Sequence, residues 1–187
     1  MNWWGLAYIS GFTPWDTASP PAELEDLLER VLLKPCRALD IGCGTGRLVV
    51  YLAKRGFEVT GIDISIIAVK RARARAVREG VKASFIKMDF TDVGQAQLLG
   101  KFDLVTDVGC YHSLSQEDRK AYIESLNTVI KTGGLYLVWA FTRGFWGPPG
   151  VDEYEIDRNL GQRFEIVEGR EWYFYGRKML FYIARRL

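Results

Sequence analysis

The sequence predicts an α/β fold in which helices cover both faces of a seven-stranded, mostly parallel sheet, giving three layers. Short apolar segments alternate with amphipathic helical patterns along most of the chain, as expected for consecutive β–α–β units. A glycine-rich loop stands between the first strand and its helix, and two strand patterns joined by a turn at Gly176 end the chain. This last pair predicts a C-terminal antiparallel hairpin at one edge of the sheet.

The 187 residues suit one domain, with an N-terminal arm and helix over 1–34 and an α/β core over 35–187. The arm is rich in aromatic residues. Ser19 and Pro20 are typical of a helix start, because serine caps the first turn and proline fits its first position. Apolar residues at helical spacing then predict the first helix over 24–32.

The core elements follow in order, separated by glycine, proline and polar residues. Strands are predicted over 37–41, 57–62, 83–87, 102–106, 135–141, 164–174 and 177–185. Helices are predicted over 46–55, from a cap at Ser65 onward, over 116–131 and over 152–160. The Pro/Gly-rich segment 144–150 is interpreted as a loop within the domain.

The composition argues against several classes of function. A net charge of +2 gives no indication of nucleic acid or an anionic membrane as partner, and no uncharged apolar stretch is long enough to span a bilayer. The basic run over 70–78 is interpreted as a solvated helix face. Three cysteines without metal-ligand spacing indicate free thiols in the reducing cytoplasm, and a single histidine excludes a multi-histidine metal site. We expect a cytoplasmic monomer or weak homodimer without a metal.

The loop DIGCGTG, residues 40–46, predicts a nucleotide-like ligand. Glycines between a strand and a helix let the backbone turn sharply and approach a ligand, while the helix N-terminus offers unpaired N–H groups. A dinucleotide site requires a further glycine where Arg47 stands, because helix and strand pack closely there. The spacing of Gly42, Gly44 and Gly46 therefore disfavours a nicotinamide dinucleotide.

Three carboxylates stand where an adenosine ligand would need them. Asp40 directly precedes the glycines. Asp63 follows the second strand, where a carboxylate can accept hydrogen bonds from both hydroxyls of a ribose. Asp89 follows the third strand beside Phe90, a pair that can hydrogen-bond an adenine amino group and pack on its ring. Together with the glycines, these positions predict an adenosine-binding site.

The order of the motifs resembles that of class I S-adenosylmethionine-dependent methyltransferases, which have a Rossmann-like fold. The matching segments are DIGCGTG, GIDIS at 61–65, KMDF at 87–90 and FDLVTDVGCYHSL at 102–114. The resemblance implies S-adenosyl-L-methionine as the cofactor. It also places Cys43 and Ile64 among the residues that bind it.

A narrower resemblance is to the thiopurine and halide/thiol methyltransferase branch. It rests on the segment TPWD at 13–16 and on GPP at 147–149. In that branch the arm tryptophan packs near the bound cofactor, so the resemblance implies that Trp15 helps to close the site.

The end of the fourth strand is the predicted acceptor side, since open α/β sheets bind ligands at the carboxyl ends of their strands. Asp107 is a candidate for the acceptor side or the methionine end of the cofactor. His112 is a candidate base, because imidazole titrates near neutral pH, or else a pocket-wall residue. Cys110 is interpreted as a small buried residue. The segment lacks the motifs of enzymes that methylate DNA bases, so no nucleic acid is expected as acceptor.

Methyl transfer from a sulfonium is an in-line displacement with a neutral leaving group, so alignment can supply up to ~7–11 kcal/mol of catalysis. A thiolate or halide acceptor needs no base, whereas a hydroxyl or amine usually needs one. The aromatic arm suits a small apolar ligand. We predict methylation of a small molecule at sulfur or another heteroatom. The alternatives are methylation of carbon or oxygen on a larger metabolite, a nicotinamide-dependent oxidoreductase, and a non-catalytic protein that binds the cofactor.

Overall fold

The structure is a computed structural model that describes residues 8–10, 13, 25, 29, 34–145, 147–152, 154–174 and 176–187. Trp15 and most of the helix predicted over 24–32 lie outside the described residues. The expectation of a single domain over 1–187 stays a prediction.

Within the described part of the chain, seven strands form one sheet. They are β1 (Arg37–Ile41), β2 (Glu58–Asp63), β3 (Ser84–Lys87), β4 (Phe102–Val108), β5 (Ile130–Phe141), β6 (Phe164–Phe174) and β7 (Arg177–Arg186). Their order is β3-β2-β1-β4-β5-β7-β6. β2 is parallel to β1 and β3, β4 is parallel to β5, and β7 is antiparallel to both β5 and β6. The predicted fold class, with its C-terminal hairpin, is confirmed.

The described helices occupy the connections between the strands. They are α1 (Arg47–Lys54), α2 (Ile66–Arg78), α3 (Val93–Gln97), α4 (Gln116–Val129) and α5 (Glu155–Leu160), with 3-10 turns at Tyr111–Ser113 and Gly161–Arg163. Ser65, Asp92 and Ser115 begin α2, α3 and α4, because each side chain accepts a hydrogen bond from the N–H three residues later. No helix among the described residues is both long and apolar enough to cross a bilayer.

The first of two compact units, Met1–Asp89, contains β1, β2 and β3 with α1 and α2. β1 is almost entirely buried, as expected for a strand inside a parallel sheet. α1 buries Leu48, Val49, Val50, Tyr51 and Leu52. Parallel pairing brings the carboxyl ends of the three strands to one edge, so the segments that follow them lie near each other.

The second unit, Phe90–Leu187, contains β4 to β7 with α3, α4 and α5. Its core includes the fully buried rings of Phe102, Tyr122 and Tyr136. The chain leaves β4 through the 3-10 turn at Tyr111–Ser113. It leaves β5 through a loop over 142–151, whose ends are joined by a bridge between Thr142 and Val151.

Two elements differ from the sequence prediction. β5 begins at Ile130 rather than at 135, because Gly133 and Gly134 lie inside the strand where its pairing with β4 is irregular. A Cβ on Gly134 would lie 2.9 Å from the Lys131 carbonyl oxygen, so the irregularity requires glycine. The helix α3 was not predicted, because its five residues bury only Ala96 and show no helical period.

Candidate functional site

The loop between β1 and α1 is a sharp turn built on glycines. Gly42, Gly44 and Gly46 have φ angles of 66°, 54° and 80°, in the left-handed region that favours glycine. The Cys43 N–H donates to the Ile62 carbonyl at 2.9 Å, and the Gly46 N–H donates to the Cys43 carbonyl at 2.9 Å. The backbone of the loop is therefore tied to the end of β2.

Two of these glycines are confined by neighbouring side chains. A Cβ on Gly46 would lie 2.9 Å from the Cβ of Ala72, so this glycine allows α2 to pack against the loop. A Cβ on Gly44 would lie 2.8 Å from the hydroxyl oxygen of Tyr8, a buried residue that was not predicted as part of the site. The glycine pattern therefore serves internal packing as well as any approach of a ligand.

Asp63, at the end of β2, accepts hydrogen bonds from the backbone and can accept further ones. Its Oδ2 accepts from the Gly44 N–H at 2.9 Å, and its Oδ1 accepts from the Ser65 N–H at 2.8 Å. Burial raises the pKa of Asp63, and the two N–H donors act in the opposite direction. A carboxylate has about four acceptor positions, so about two remain for ribose hydroxyls.

Asp40 and Cys43 lie buried beneath the same loop. Burial, together with the negative charges of Asp40 and Asp63, raises the pKa of the Cys43 thiol well above its usual value. The thiol therefore stays protonated, and its Sγ donates to the Gly44 carbonyl at 3.8 Å. Cys43 is suited to packing under a ligand and not to nucleophilic chemistry.

Ile64 and Asp89 follow β2 and β3 at the same edge of the sheet. The edge is aligned by the pairing of Asp63 with Lys87 and by a hydrogen bond from the Met88 N–H to the Asp63 carbonyl at 3.0 Å. Ile64 is 38% exposed and the Asp89 side chain is exposed. An exposed apolar side chain can pack on the ring of an adenine, and an exposed carboxylate at the same edge can accept a hydrogen bond from its amino group.

The N-terminus of α1 is also suited to a ligand. Its N-cap, Gly46, contributes no side-chain hydrogen bond, and its first turn contains no acidic residue. Helix N-termini carry unpaired N–H groups and positive potential, which favour a carboxylate. The loop, Asp63 and this helix end thus fit the amino-acid and ribose groups of the implied cofactor. No cluster of histidine, cysteine or acidic residues in the described ranges could hold a metal ion.

In the second unit, Asp107 is fully buried near the end of β4. Its Oδ1 accepts from the Cys110 N–H at 2.8 Å, and its Oδ2 accepts from the Tyr111 N–H at 2.9 Å and from the Tyr122 hydroxyl at 2.6 Å. Burial raises the pKa of Asp107 to about 6 despite these donors. In this structure the carboxylate shapes the turn after β4, and its role at a cofactor or acceptor stays a prediction.

His112 lies in the 3-10 turn that Asp107 shapes. Its Nδ1 accepts a hydrogen bond from the Phe141 N–H at 3.1 Å, and its ring packs edge-to-face on the Phe141 ring with centroids 5.3 Å apart. Burial, with the positive charges of Arg177 and Arg119, lowers the pKa of His112 to about 3. The imidazole is therefore neutral at physiological pH but has a low affinity for a proton, which opposes its candidate role as a base.

Sequence reasoning missed Arg119, a buried cation on α4. Its Nη1 donates to Glu155 at 2.7 Å, and both side chains of this ion pair are almost inaccessible to solvent. Its Nη2 donates to the carbonyls of Gly150, at 2.8 Å, and of His112, at 3.3 Å. Arg119 thereby connects the turn after β4, the loop after β5 and α5.

Arg177, the first residue of β7, is the second cation that sequence reasoning missed. Its Nε donates to the Thr142 carbonyl at 2.8 Å, and its Nη2 donates to the Pro148 carbonyl at 2.8 Å. Cβ atoms on Gly144, Gly147 and Gly150 would lie 2.8, 2.9 and 2.5 Å from guanidinium nitrogens of Arg177. These glycines, spaced by three residues, therefore make room for a buried guanidinium. Their spacing was the one sequence pattern that could have indicated a buried group beside this loop.

A further predicted residue, Phe90, is not exposed. Phe90 is buried in the second unit, where its ring packs edge-to-face on Tyr122 with centroids 5.0 Å apart. Trp15 lies outside the described residues.

Comparison with known proteins identifies the family. A model of the methyltransferase domain matches residues 38–134, which include the glycine loop, Asp63, Asp107 and His112. The probable thiol methyltransferase 2 of Arabidopsis thaliana is 32% identical over 159 residues, covering 81% of this chain and 69% of the relative. This chain belongs to the S-adenosylmethionine-dependent methyltransferase family. The predicted resemblance and cofactor are confirmed at the level of the family, and an oxidoreductase is not supported.

This methyltransferase is also similar to a second sequence relative and to a solved structure. The thiocyanate methyltransferase 1 of Brassica oleracea is 32% identical over 160 residues, covering 81% of this chain and 69% of the relative. A solved methyltransferase of Burkholderia thailandensis, which acts on N1 of 1,6-didemethyltoxoflavin and contains bound S-adenosylhomocysteine, is 21% identical with a TM-score of 0.77. That alignment covers 97% of this chain and 84% of the Burkholderia chain, and at this identity it supports the fold alone.

Proposed function

We propose that this methyltransferase transfers the methyl group of S-adenosylmethionine to sulfur, or to another heteroatom, of a small molecule. The bound cofactor supplies a sulfonium methyl group that an aligned nucleophile can displace. The names of the Arabidopsis and Brassica relatives, which specify a thiol and thiocyanate, support a sulfur acceptor. Since all three cysteines are free thiols, we place the enzyme in the reducing cytoplasm.

The residues of the first unit would hold the cofactor. The backbone of the glycine loop and the N-terminus of α1 would receive its amino-acid end. Asp63 would accept hydrogen bonds from its ribose hydroxyls, and Ile64 and Asp89 would contact its adenine. Asp40 and Cys43 would support the loop from below, and Trp15 would cover the site.

The observation that carries the proposal is the spare acceptor capacity of Asp63 beside the glycine loop. We expect Asp63→Ala to weaken binding of S-adenosylhomocysteine by about 2–3 kcal/mol, the scale of hydrogen bonds to a charged group. Titration calorimetry of the folded variant measures this loss directly. Asp92→Ala, which removes an exposed carboxylate that caps α3, is the control and should leave the affinity unchanged.

Two outcomes would contradict the proposal. If the protein binds neither S-adenosylmethionine nor S-adenosylhomocysteine, the assigned cofactor site is wrong. If Asp63→Ala binds the cofactor as tightly as the parent does, Asp63 is not part of the site.

The acceptor is tested by a screen that separates nucleophile classes. Small thiols, thiocyanate and iodide form one set, and phenols and amines of similar size form the other. We expect turnover in the first set. Methylation confined to phenols would instead support the oxygen acceptor that was considered as an alternative, and cofactor binding without any turnover would support a non-catalytic protein.

A further inference from the structure

We propose that His112 presents a fixed Nε2–H donor to the methyl acceptor, and that the enzyme therefore takes acceptors that arrive already ionised. This proposal rests on the proposed function and specifies its substrate class. The sequence left His112 as a candidate base or a pocket-wall residue. The proposal instead makes it a hydrogen-bond donor, since a ring nitrogen that carries a hydrogen donates and does not accept.

The tautomer follows from one hydrogen bond. The Phe141 backbone N–H points at Nδ1 of His112 at 3.1 Å. A backbone amide only donates, so Nδ1 must present its lone pair, and in the neutral ring the hydrogen is then on Nε2. Rotating the ring by half a turn would place a carbon opposite the Phe141 N–H, so this contact also fixes the ring orientation.

The main chain of His112 is held as firmly as its ring. Its carbonyl accepts from the Gly150 N–H at 2.9 Å and from Nη2 of Arg119 at 3.3 Å. His112 is therefore held twice from this side, by Phe141 at the end of β5 and by Gly150 in the loop that follows. This double attachment fixes the direction in which Nε2 points. A hydrogen-bond donor needs a fixed direction, whereas a residue that only lines a pocket does not.

The free edge of the ring faces the end of β4. The Cε1 and Nε2 atoms lie 3.5 and 4.0 Å from the position of a Cβ on Gly109, the residue that follows β4. The structure shows no hydrogen-bond partner for Nε2 among the described residues, and open α/β sheets bind ligands beside such strand ends. This nitrogen is thus placed to meet a ligand atom.

The charges around His112 oppose its protonation. Arg177 on β7 and Arg119 on α4 are both cations near the ring, and the nearby carboxylate of Glu155 on α5 is paired with Arg119 at 2.7 Å. Asp107, which shapes the turn containing His112, accepts from backbone N–H groups and from Tyr122. The surroundings therefore favour a neutral ring in an electropositive setting, which attracts an anion.

The neighbouring groups offer no alternative base. Both oxygens of Asp107 are occupied, and Glu155 is paired. The Tyr111 hydroxyl accepts from Asn159 at 2.6 Å, and burial raises the pKa of Tyr111 to about 12. None of these three groups is available to take a proton from an acceptor, whereas a thiolate or a soft inorganic anion needs no base.

Nitrogen-15 NMR tests the tautomer without any activity measurement. The chain has one histidine, so every imidazole signal belongs to His112. We expect a pyridine-like Nδ1 and a pyrrole-like Nε2, with shifts that stay constant from about pH 5 to about pH 8, while the unfolded chain titrates near 6.5. A hydrogen on Nδ1, or a titration near neutrality in the folded enzyme, would overturn the proposal.

Kinetics test the contact with the acceptor. We expect His112→Leu to raise the KM of ionised acceptors about tenfold or more, the loss of one hydrogen bond to a charged group, with unchanged affinity for S-adenosylhomocysteine. His112→Gln, which keeps an N–H donor, should recover part of this loss. An aliphatic thiol and thiocyanate distinguish an organic thiolate from an inorganic anion as the substrate, because only the rate with the thiol should rise as the thiol ionises.

The outcomes separate the two proposals. If the thiol is methylated but His112→Leu leaves its KM unchanged, methyl transfer stands and the donor role is wrong. If phenols are methylated with a rate that follows the titration of His112, the histidine is a base and the proposal is also wrong. If no acceptor is methylated by an enzyme that binds the cofactor, the proposed function fails together with the acceptor role, whatever tautomer NMR finds.

Discussion

Asp107 lies near the end of β4 and His112 lies five residues later, in the turn that follows, and burial moves their pKa values in opposite directions. Burial disfavours the charged form of each group, so the pKa of Asp107 rises to about 6 and that of His112 falls to about 3. At neutral pH Asp107 is largely ionised and satisfied by N–H and O–H donors, while His112 is neutral. The sequence predicted both residues as candidates but did not indicate their protonation states.

The pKa of His112 predicts how its contribution to stability depends on pH. Its folded value is about 3, below the unfolded value near 6.5, so the folded state binds the proton less well. The stabilising contribution is present above the unfolded pKa and is lost as the pH falls from about 6.5 towards 3. We expect the free energy of unfolding to lose about 2 kcal/mol from this residue between about pH 7 and pH 5.

Urea titrations of the parent and of His112→Gln measure this contribution as a difference. The variant removes the only histidine while Asp107, which titrates in an overlapping range, remains in both proteins. The parent should lose more stability on acidification than the variant does. Equal pH profiles would contradict the depressed pKa.

Gly46 shows that packing between elements can depend on one missing side chain. Its φ is 80°, and a Cβ there would lie 2.9 Å from the Cβ and 3.2 Å from the Cα of Ala72 on α2. We expect Gly46→Ala to destabilise the protein by about 2–4 kcal/mol, because left-handed strain and overpacking act together. Chemical denaturation measures the change.

Gly80 provides the matched control. Its φ is 67°, and a Cβ there would meet no atom within 4 Å. Gly80→Ala should therefore show the backbone strain alone, about 1–2 kcal/mol. If the two substitutions cost the same, the close packing of α2 against the loop is not what selects glycine at position 46.

The loop over 142–151 depends on a cation from β7. Arg177→Met keeps the apolar stem but removes the donors to the Thr142 and Pro148 carbonyls. We expect a loss of about 2–4 kcal/mol in the free energy of unfolding, since buried carbonyls would be left unpaired. The KM of the acceptor should rise more than kcat falls, because Gly150 of this loop donates to the His112 carbonyl.

Arg186 on the same strand is the control for Arg177→Met. It donates to the Arg163 carbonyl at 2.8 Å in an exposed position, so Arg186→Met should cost less than about 1 kcal/mol. If both variants lose a comparable free energy of unfolding, burial of the Arg177 guanidinium does not add to stability. If the KM of the acceptor is unchanged in Arg177→Met, the loop over 142–151 does not influence acceptor binding.

For the whole molecule, the parallel strands explain why the sequence could predict which residues share one edge of the sheet. Residues that follow parallel strands share one edge of the sheet, so the glycine loop, Asp63 and Asp89 in the first unit meet although they are distant in sequence. In the second unit, the same rule brings together the segments after β4 and β5. The alternation of strands with helices and the positions of the glycines are visible in the sequence, and the expectation of a shared edge followed from them.

By itself, the sequence determined the alternation of strands and helices, the C-terminal hairpin and the family motifs. Periodic burial, capping residues and turn residues are local patterns that can be recognised along a single chain. Only the tertiary structure decided that Arg119 and Arg177 are buried and that His112 is neutral. Arg177 binds a carbonyl 35 residues away, and His112 accepts from an amide 29 residues away. A buried charge and a shifted pKa depend on such distant partners, which no local pattern encodes.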